Sequence, residues 1–554
     1  MNTLKQTSNR YFWKIFMSCL VVIVMLSACG GQSKDAANEA AKQHKDRQGQ
    51  GVNTADSKDS LVLAIGSEPE SGFDPITGWG MYGSPLFQST LFKRDNDLKI
   101  VNDLATSFQV SDDGRKWTVT IRDDVLFSDG EQLQAEDVQF TFEMAKRSGS
   151  TIDLTNLTNV EAIGDNEVVF YLEQPQSSFQ YVLVTLGIVP KHLYNETYSQ
   201  QPVGSGPFTF VQWDKGQQLI VAANPYYYGN KPYFQHLTFL FLQADAAFVA
   251  AQTGVADMAY IPTSFSEQQV AGMRLEKLNT VDNRGIVFPY TAVQQKNEVT
   301  IGNDVTNDLA IRKAINLAVD RQVLVDGVLD GYGTPAYSNV DGLPWGNPET
   351  AFADGQVEEA KRLLAEHGWQ DSDGDGIVEK EGVAARFTLV YPASDVTRQS
   401  LSLAVADMVR AIGIDIVVEG KSWEMMEQHK YTDAMMMGWG SHDPLETYHI
   451  YSSSYAGVDF FNTGHYSNEQ VDRWMEKALM AASEEAALPY WQKAQWDGST
   501  GLSANGDAPW AWLVNLQHLY LVDEKLAIGQ QRIQPHGHGW PVTDNIDQWK
   551  WVDN

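Results

Sequence analysis

Three stretches of this chain carry side chains that could do chemistry. Trp439-Gly440-Ser441-His442-Asp443-Pro444 sets an indole beside an imidazole and a carboxylate. An aromatic wall with one acidic and one imidazole group suits a small charged ligand, because an enclosed pocket needs few polar groups, well placed. The same residues also fit a turn in which His442 only caps and Trp439 packs in the core. His536-Gly537-His538 puts two imidazoles two residues apart, on one side of the chain if it runs extended. Imidazole is a common ligand for nickel and similar ions. His442, His536 and His538 are therefore the candidate metal-binding residues, with a surface loop as the other reading of the pair. Asp371-Ser372-Asp373-Gly374-Asp375-Gly376 begins like a calcium-binding loop, but its twelfth position is Gly382, where that loop needs Glu. A hairpin turn is expected there instead.

Other chemistry has no foothold. The chain has no nucleophile elbow, HExxH helix or Cys/His arrangement, so no catalytic residue is expected and an extracytoplasmic hydrolase is disfavoured. It has no Walker lysine motif, so any ATP hydrolysis belongs to another subunit. The net charge of −31 excludes a nucleic-acid partner.

The N-terminus predicts where the protein works. Lys5, Arg10 and Lys14 precede an apolar run from Ile15 to Leu26, the pattern of a secretory signal too short to be a permanent membrane span. The run ends in Leu26-Ser27-Ala28-Cys29-Gly30, which resembles a lipobox. Cleavage before Cys29 would leave a lipidated N-terminus with the several acyl chains that stable anchoring needs. Cys19 would leave with the signal, so the mature chain would hold no free thiol for a disulfide, a zinc site or catalysis. Removing three cations makes the mature charge near −34. Residues 30–60 are polar and without aromatics, and read as a flexible tether.

The elements that must position the candidate residues are of both kinds. Thr118-Val119-Thr120-Ile121, Phe387 to Tyr391 and Ile414 to Val418 predict strands. Helices are expected from Ala135, over Asp308 to Asp326, and over Val357 to His367 with Gly368 as the stop. A mixed α/β fold with several sheets follows.

Several ordered blocks resemble the extracellular solute-binding proteins of peptide and nickel ABC importers, family 5. They are Leu104 to Phe108, Ser111 to Gly114 with Trp117-Thr118, and Ile121 to Gly130 running into Ala135-Glu136-Asp137-Val138. Gly204 to Phe208 with Asn224 to Tyr227 and Lys231-Pro232 forms another, followed by Ile311 to Arg321 and Ala365 to Trp369. The resemblance implies a bilobal periplasmic-binding-protein fold of type II (cluster C), with an extra inserted subdomain and a hinge between the lobes. Expected bounds are a signal peptide over 1–28, lipidated Cys29 and linker over 29–60, and lobe I over 61–284 with the insertion about 92–190. Lobe II would span 285–510, and 511–554 would return to lobe I. The resemblance further implies capture of a nickel chelate or a short peptide between the lobes, with closure followed by docking on the permease of an importer whose ATPase is separate. It implies no resident cofactor, metal entering only as cargo, and a monomer tethered to the membrane outside the cytoplasm. Trp79, Met81 and Tyr82 after the first strand and Trp439, His442 and Asp443 are the ligand-binding residues it suggests. Arg147 roughly matches an arginine that holds chelate carboxylates in the nickel branch; around Leu183 to Val189, where a second is expected, the chain has none. Transport without metal and ligand sensing for a membrane receptor are the alternatives.

Overall fold

The computed structural model describes residues 59–83, 86–148, 152–537 and 540–552. The expected signal peptide, Cys29 and residues 30–58 of the expected tether lie outside them, as does His538; Ser60, placed at the tether's end, instead opens the strand Ser60–Ala64.

A mixed sheet of eleven strands among the described residues forms the spine. Its order begins Asp415–Lys421, Arg386–Pro392, Ala434–Met437, Met273–Val287 and Trp510–Asp523. It continues through Met258–Ile261, Ser60–Ala64, His236–Leu240 and Gln218–Ala223 to Phe208–Asp214, and the eleventh strand, Gly333–Pro335, pairs with Trp510–Asp523 off this path. Parallel pairs such as Arg386–Pro392 with Asp415–Lys421 need crossover helices, and Val396–Arg410 supplies that one.

Two strands traverse the middle of this sheet. Met273–Val287 and Trp510–Asp523 pair antiparallel, and their register slips between Asn279 and Asn283. On one side of the slip Trp510–Asp523 continues to Met258–Ile261; on the other Met273–Val287 continues to Ala434–Met437. The slip coincides with Asn279-Thr280-Val281-Asp282-Asn283, a largely polar run at which the strand's alternation breaks. The C-terminal segment fills it: the Val281 N–H donates to the Gln534 carbonyl at 2.9 Å, and the Gln534 N–H to that of Asn279 at 2.8 Å. A bulge of this kind re-aims side chains and often borders a site.

A second sheet of four strands, Ala105–Val110, Lys116–Ile121, Glu167–Leu172 and Leu157–Ile163 in spatial order, has its own core of Trp117, Val119, Phe142 and Phe170. Helix Ala135–Ser148 covers it, burying Val138, Phe142 and Ala145 at helical spacing. The helix expected over Asp308 to Asp326 is two helices, Leu309–Ala318 and Arg321–Val328. Asp320 separates them because its carboxylate caps the second, accepting the Val323 N–H at 3.0 Å. The helix Val357–Glu366 ends as expected, with Gly368 at φ 87°.

Candidate functional site

A cavity of about 410 Å³ opens among residues 80–83 and 88–103, the loop Ser441-His442-Asp443 and the C-terminal stretch 530–548, with Tyr181, Thr185, Pro207 and Tyr227 also lining it. That volume lies within the range of small-molecule pockets. Met81, Tyr82, His442 and Asp443 line it, as do two arginines that local pattern did not single out, Arg94 and Arg532.

The first segment is set by a short turn. Asp74 caps the 3-10 turn Pro75–Thr77 by accepting the Ile76 N–H at 2.9 Å, and the Tyr194 hydroxyl donates to its other oxygen at 2.8 Å. This seats Trp79 inward, edge-on to Phe73 at 4.9 Å and to Trp540 at 5.3 Å, and turns Met81 and Tyr82 toward the cavity. Trp79 is thus a core residue of the wall, 6% exposed.

The second segment follows the fully buried strand Ala434–Met437. Trp439 stacks on Phe461 at 5.4 Å and does not line the cavity. Its backbone N–H donates to Asn283 Oδ1 at 3.0 Å, tying the loop to the bulge. His442 is buried with Nε2 lacking a partner. Burial, then the nearby guanidinium charges of Arg532 and Arg94, hold its pKa well below the ordinary value, so it is neutral. Burial pushes Asp443 up to about 6, against the Leu445 amide and the Arg94 charge that pull it down.

Arg94 spans the cavity. It donates to the Leu98 carbonyl at 2.7 Å and to the His442 carbonyl across the cavity, and lies over the Tyr181 ring at 4.8 Å. No carboxylate comes within ion-pair distance of it among the described residues. Arg532 pairs with Asp544 and donates to the Arg94 carbonyl at 3.1 Å. Burial and the neighbouring Arg94 lower it to about 10. Nothing in the run Lys93-Arg94-Asp95 marks Arg94 as more than a solvated charge; Arg532, a lone cation flanked by glutamine in a strongly acidic chain, carried a faint signal.

The four-stranded unit and the segments that follow it also meet the stretch after Asp443. The Tyr455 hydroxyl donates to Asp153 at 3.0 Å, the Ser177 N–H to the Leu479 carbonyl at 2.8 Å, and the Tyr181 hydroxyl to Glu484.

Other expected residues sit elsewhere. Arg147 is exposed in the last turn of its helix, where a cation complements the helix dipole, and pairs with Glu143 at 3.3 Å. It does not line the cavity. His536 Nδ1 meets Asp282 at 2.6 Å, and its ring lies edge-on to Tyr82 at 5.9 Å. Among the described residues, the set of metal-capable groups with donor atoms within 4.8 Å of one another is Asp371, Asp373, Asp375 and Glu379, exposed and outside the cavity; His442 and His536 belong to no such set. Those aspartates serve a turn: Asp371 accepts the Gly374 and Gly376 N–H groups at 2.7 and 3.0 Å, ahead of the hairpin of 379–380 and 383–384.

The sequence model of the bacterial extracellular solute-binding proteins, family 5 Middle, matches residues 99–459, more than half of the chain. The chain belongs to this family. Protein XP55 of Streptomyces lividans is 32% identical over 486 residues, covering 84% of this chain and 85% of that protein. The oligopeptide-binding protein AppA of Bacillus subtilis is 30% identical over 492 residues, covering 83% and 86%. The crystal structure of NikZ from Campylobacter jejuni in complex with Ni(L-His) superposes with a TM-score of 0.76 at 25% identity, covering 89% of this chain and all of that one. This family 5 member is accordingly a bilobal α/β solute-binding protein of an ABC importer, of the kind that takes peptides or nickel chelates.

Proposed function

We propose that this family 5 protein is a lipid-anchored capture subunit that encloses a short peptide between its lobes and delivers it to the importer's permease. The observation that carries this reading is the cavity lined by the acid Asp443 and by the guanidinium of Arg94, which has no carboxylate within ion-pair distance among the described residues. A zwitterionic ligand suits such a pair, since desolvated charges need opposite partners. The relationship to AppA, an oligopeptide-binding protein, supports it. The lobes in this reading are 61–284 with an insertion near 92–190, 285–510, and the return segment 511–554. Met273–Val287 and Trp510–Asp523 serve as the hinge strands, and the protein acts as a monomer. The relatives bind rather than transform their ligands, and we extend that to this chain, with no catalytic step.

A second reading is a nickel chelate, favoured by the unpartnered Nε2 of buried His442 at the cavity and by the likeness to NikZ. Mass spectrometry of ligand released from the purified protein, with metal analysis of the same sample, separates them. A sequence-diverse peptide mixture without stoichiometric metal is expected; stoichiometric nickel with a small chelator overturns the peptide reading.

A further inference from the structure

The loop that presents His442 and Asp443 is held from beneath by a residue that does not line the cavity. Glu446, in the first turn of helix Leu445–Tyr451, is 8% exposed. One of its carboxylate oxygens accepts the Gly440 N–H and the other the Ser441 N–H, each at 3.2 Å. The rest of the loop has little slack. The His536 N–H donates to the Gly440 carbonyl at 2.7 Å, and a Cβ on Gly440 would lie 2.6 Å from the Val281 carbonyl oxygen.

Burying a carboxylate costs far more than burying an amide or hydroxyl that could accept one of these bonds. Its neighbours raise that cost. The ionisable groups facing Glu446 are Asp443 on the loop, Asp282 on the strand Met273–Val287, Tyr82 on the N-terminal segment and Tyr451 on its own helix. A carboxylate in this position is explained by what it does in each protonation state.

We propose that Glu446 is a positioning residue of the solute cleft and a proton-controlled clamp: ionised, it accepts both amides and holds His442 and Asp443 in the cavity wall, whereas protonated it offers one good acceptor and frees the loop. Burial pushes Glu446 up to about 7, outweighing the two amides that pull it down, so the clamp sits near its midpoint at neutral pH. Capture then strengthens as pH rises through that value, because the ionised form is the one that fixes the loop. The functional half of this inference rests on the cavity being the ligand site; the clamp itself does not.

The full chain is labelled with 5-fluorotryptophan, and the Trp439 resonance, assigned by its loss in W439F, is followed by fluorine NMR from about pH 5.5 to about 8.5. We expect a step with a midpoint of about 7 in the wild type, its loss in E446Q and its persistence in D443N. A Trp439 resonance that does not titrate, or that titrates unchanged in E446Q, overturns the clamp. If E446Q does not fold, D443N decides, since a step lost there belongs to Asp443. In the second measurement an equimolar tripeptide pool is retained on the protein and read by mass spectrometry. Capture is expected to be about tenfold stronger at pH 8 than at pH 6 in the wild type and flat in E446Q. A titrating loop with no tripeptide captured at either pH leaves the clamp standing and overturns the peptide reading. Capture that is independent of pH overturns the positioning role.

Discussion

The Asp282 carboxylate lies 2.6 Å from Nδ1 of His536, tying the C-terminal segment to the register slip between the two strands that traverse the main sheet. Its other oxygen meets His518 Nε2 at 3.1 Å, and Arg284 closes an ion pair at 2.5 Å. Burial works against ionisation here, but Arg284 and the two histidines outweigh it and hold Asp282 well below the usual carboxylate range. A carboxylate so depressed stabilises the fold above its unfolded value and loses that contribution as pH falls through the folded one. D282N removes the ion-pair partner of buried Arg284 and leaves it only the more distant charge of Asp395, so it should cost about 3–5 kcal/mol in urea unfolding at neutral pH. A loss under about 1 kcal/mol would show that the network does not hold the bulge.

Asp257 behaves in the opposite sense. Burial pushes it up to about 6, against the Val62 amide that donates to it at 2.7 Å, and Asp523 adds to the upward push. The folded protein therefore holds this proton more tightly than the unfolded chain. Its contribution is largest below the unfolded value of 3.8 and is lost as pH rises through about 6. Relative to wild type, D257N should gain about 2 kcal/mol of stability between about pH 4 and about pH 7. A constant difference across that range in chemical denaturation would contradict the assignment.

Arg94 and Arg147 make a matched pair of tests. Arg94 reaches across the cavity to the His442 carbonyl, whereas Arg147 is solvated and pairs only with the neighbouring turn. R94Q should weaken capture of a tripeptide pool or of nickel–histidine by about tenfold or more. R147A should leave capture within about twofold and stability within about 0.5 kcal/mol. Equal losses in the two variants would shift the site toward the end of the Ala135–Ser148 helix.

Replacing Cys29 with Ser should release the protein from the membrane fraction while leaving ligand affinity unchanged. In the proposed reading, the lipid and the polar stretch after Cys29 would only keep the capture domain near its permease and raise its effective concentration there. Fractionation of cells and titration of the released protein check the two halves; a fall in affinity would contradict the division between anchor and binder.

Much of the fold was legible because it rests on short-range rules. Alternation in Lys116–Ile121, the start of a helix at Asp308 and the stop at Gly368 are local facts of propensity and periodicity, and each lies where the residues indicate. The break at Asp320 was missed because its apolar spacing runs on through the cap. Met81, Tyr82, His442 and Asp443 do gather at one cavity. Trp79 went into the core because the turn capped by Asp74 aims it at Phe73 and Trp540, a partner over 400 residues away in sequence.

The sequence by itself determined the family and the mixed α/β class, and it singled out loops whose Met81, Tyr82, His442 and Asp443 line one cavity, since motifs, turns and hydrophobic periods are written along the chain. Only the tertiary structure decided that Arg94 and Arg532 share a cavity, that Glu446 supports the His442 loop, and that Asp282 joins Arg284, His518 and His536. These groups come from segments that local pattern cannot relate. For Asp282 the physical reason is that a buried charge must find partners, a need met across the bulge where two long strands slip register.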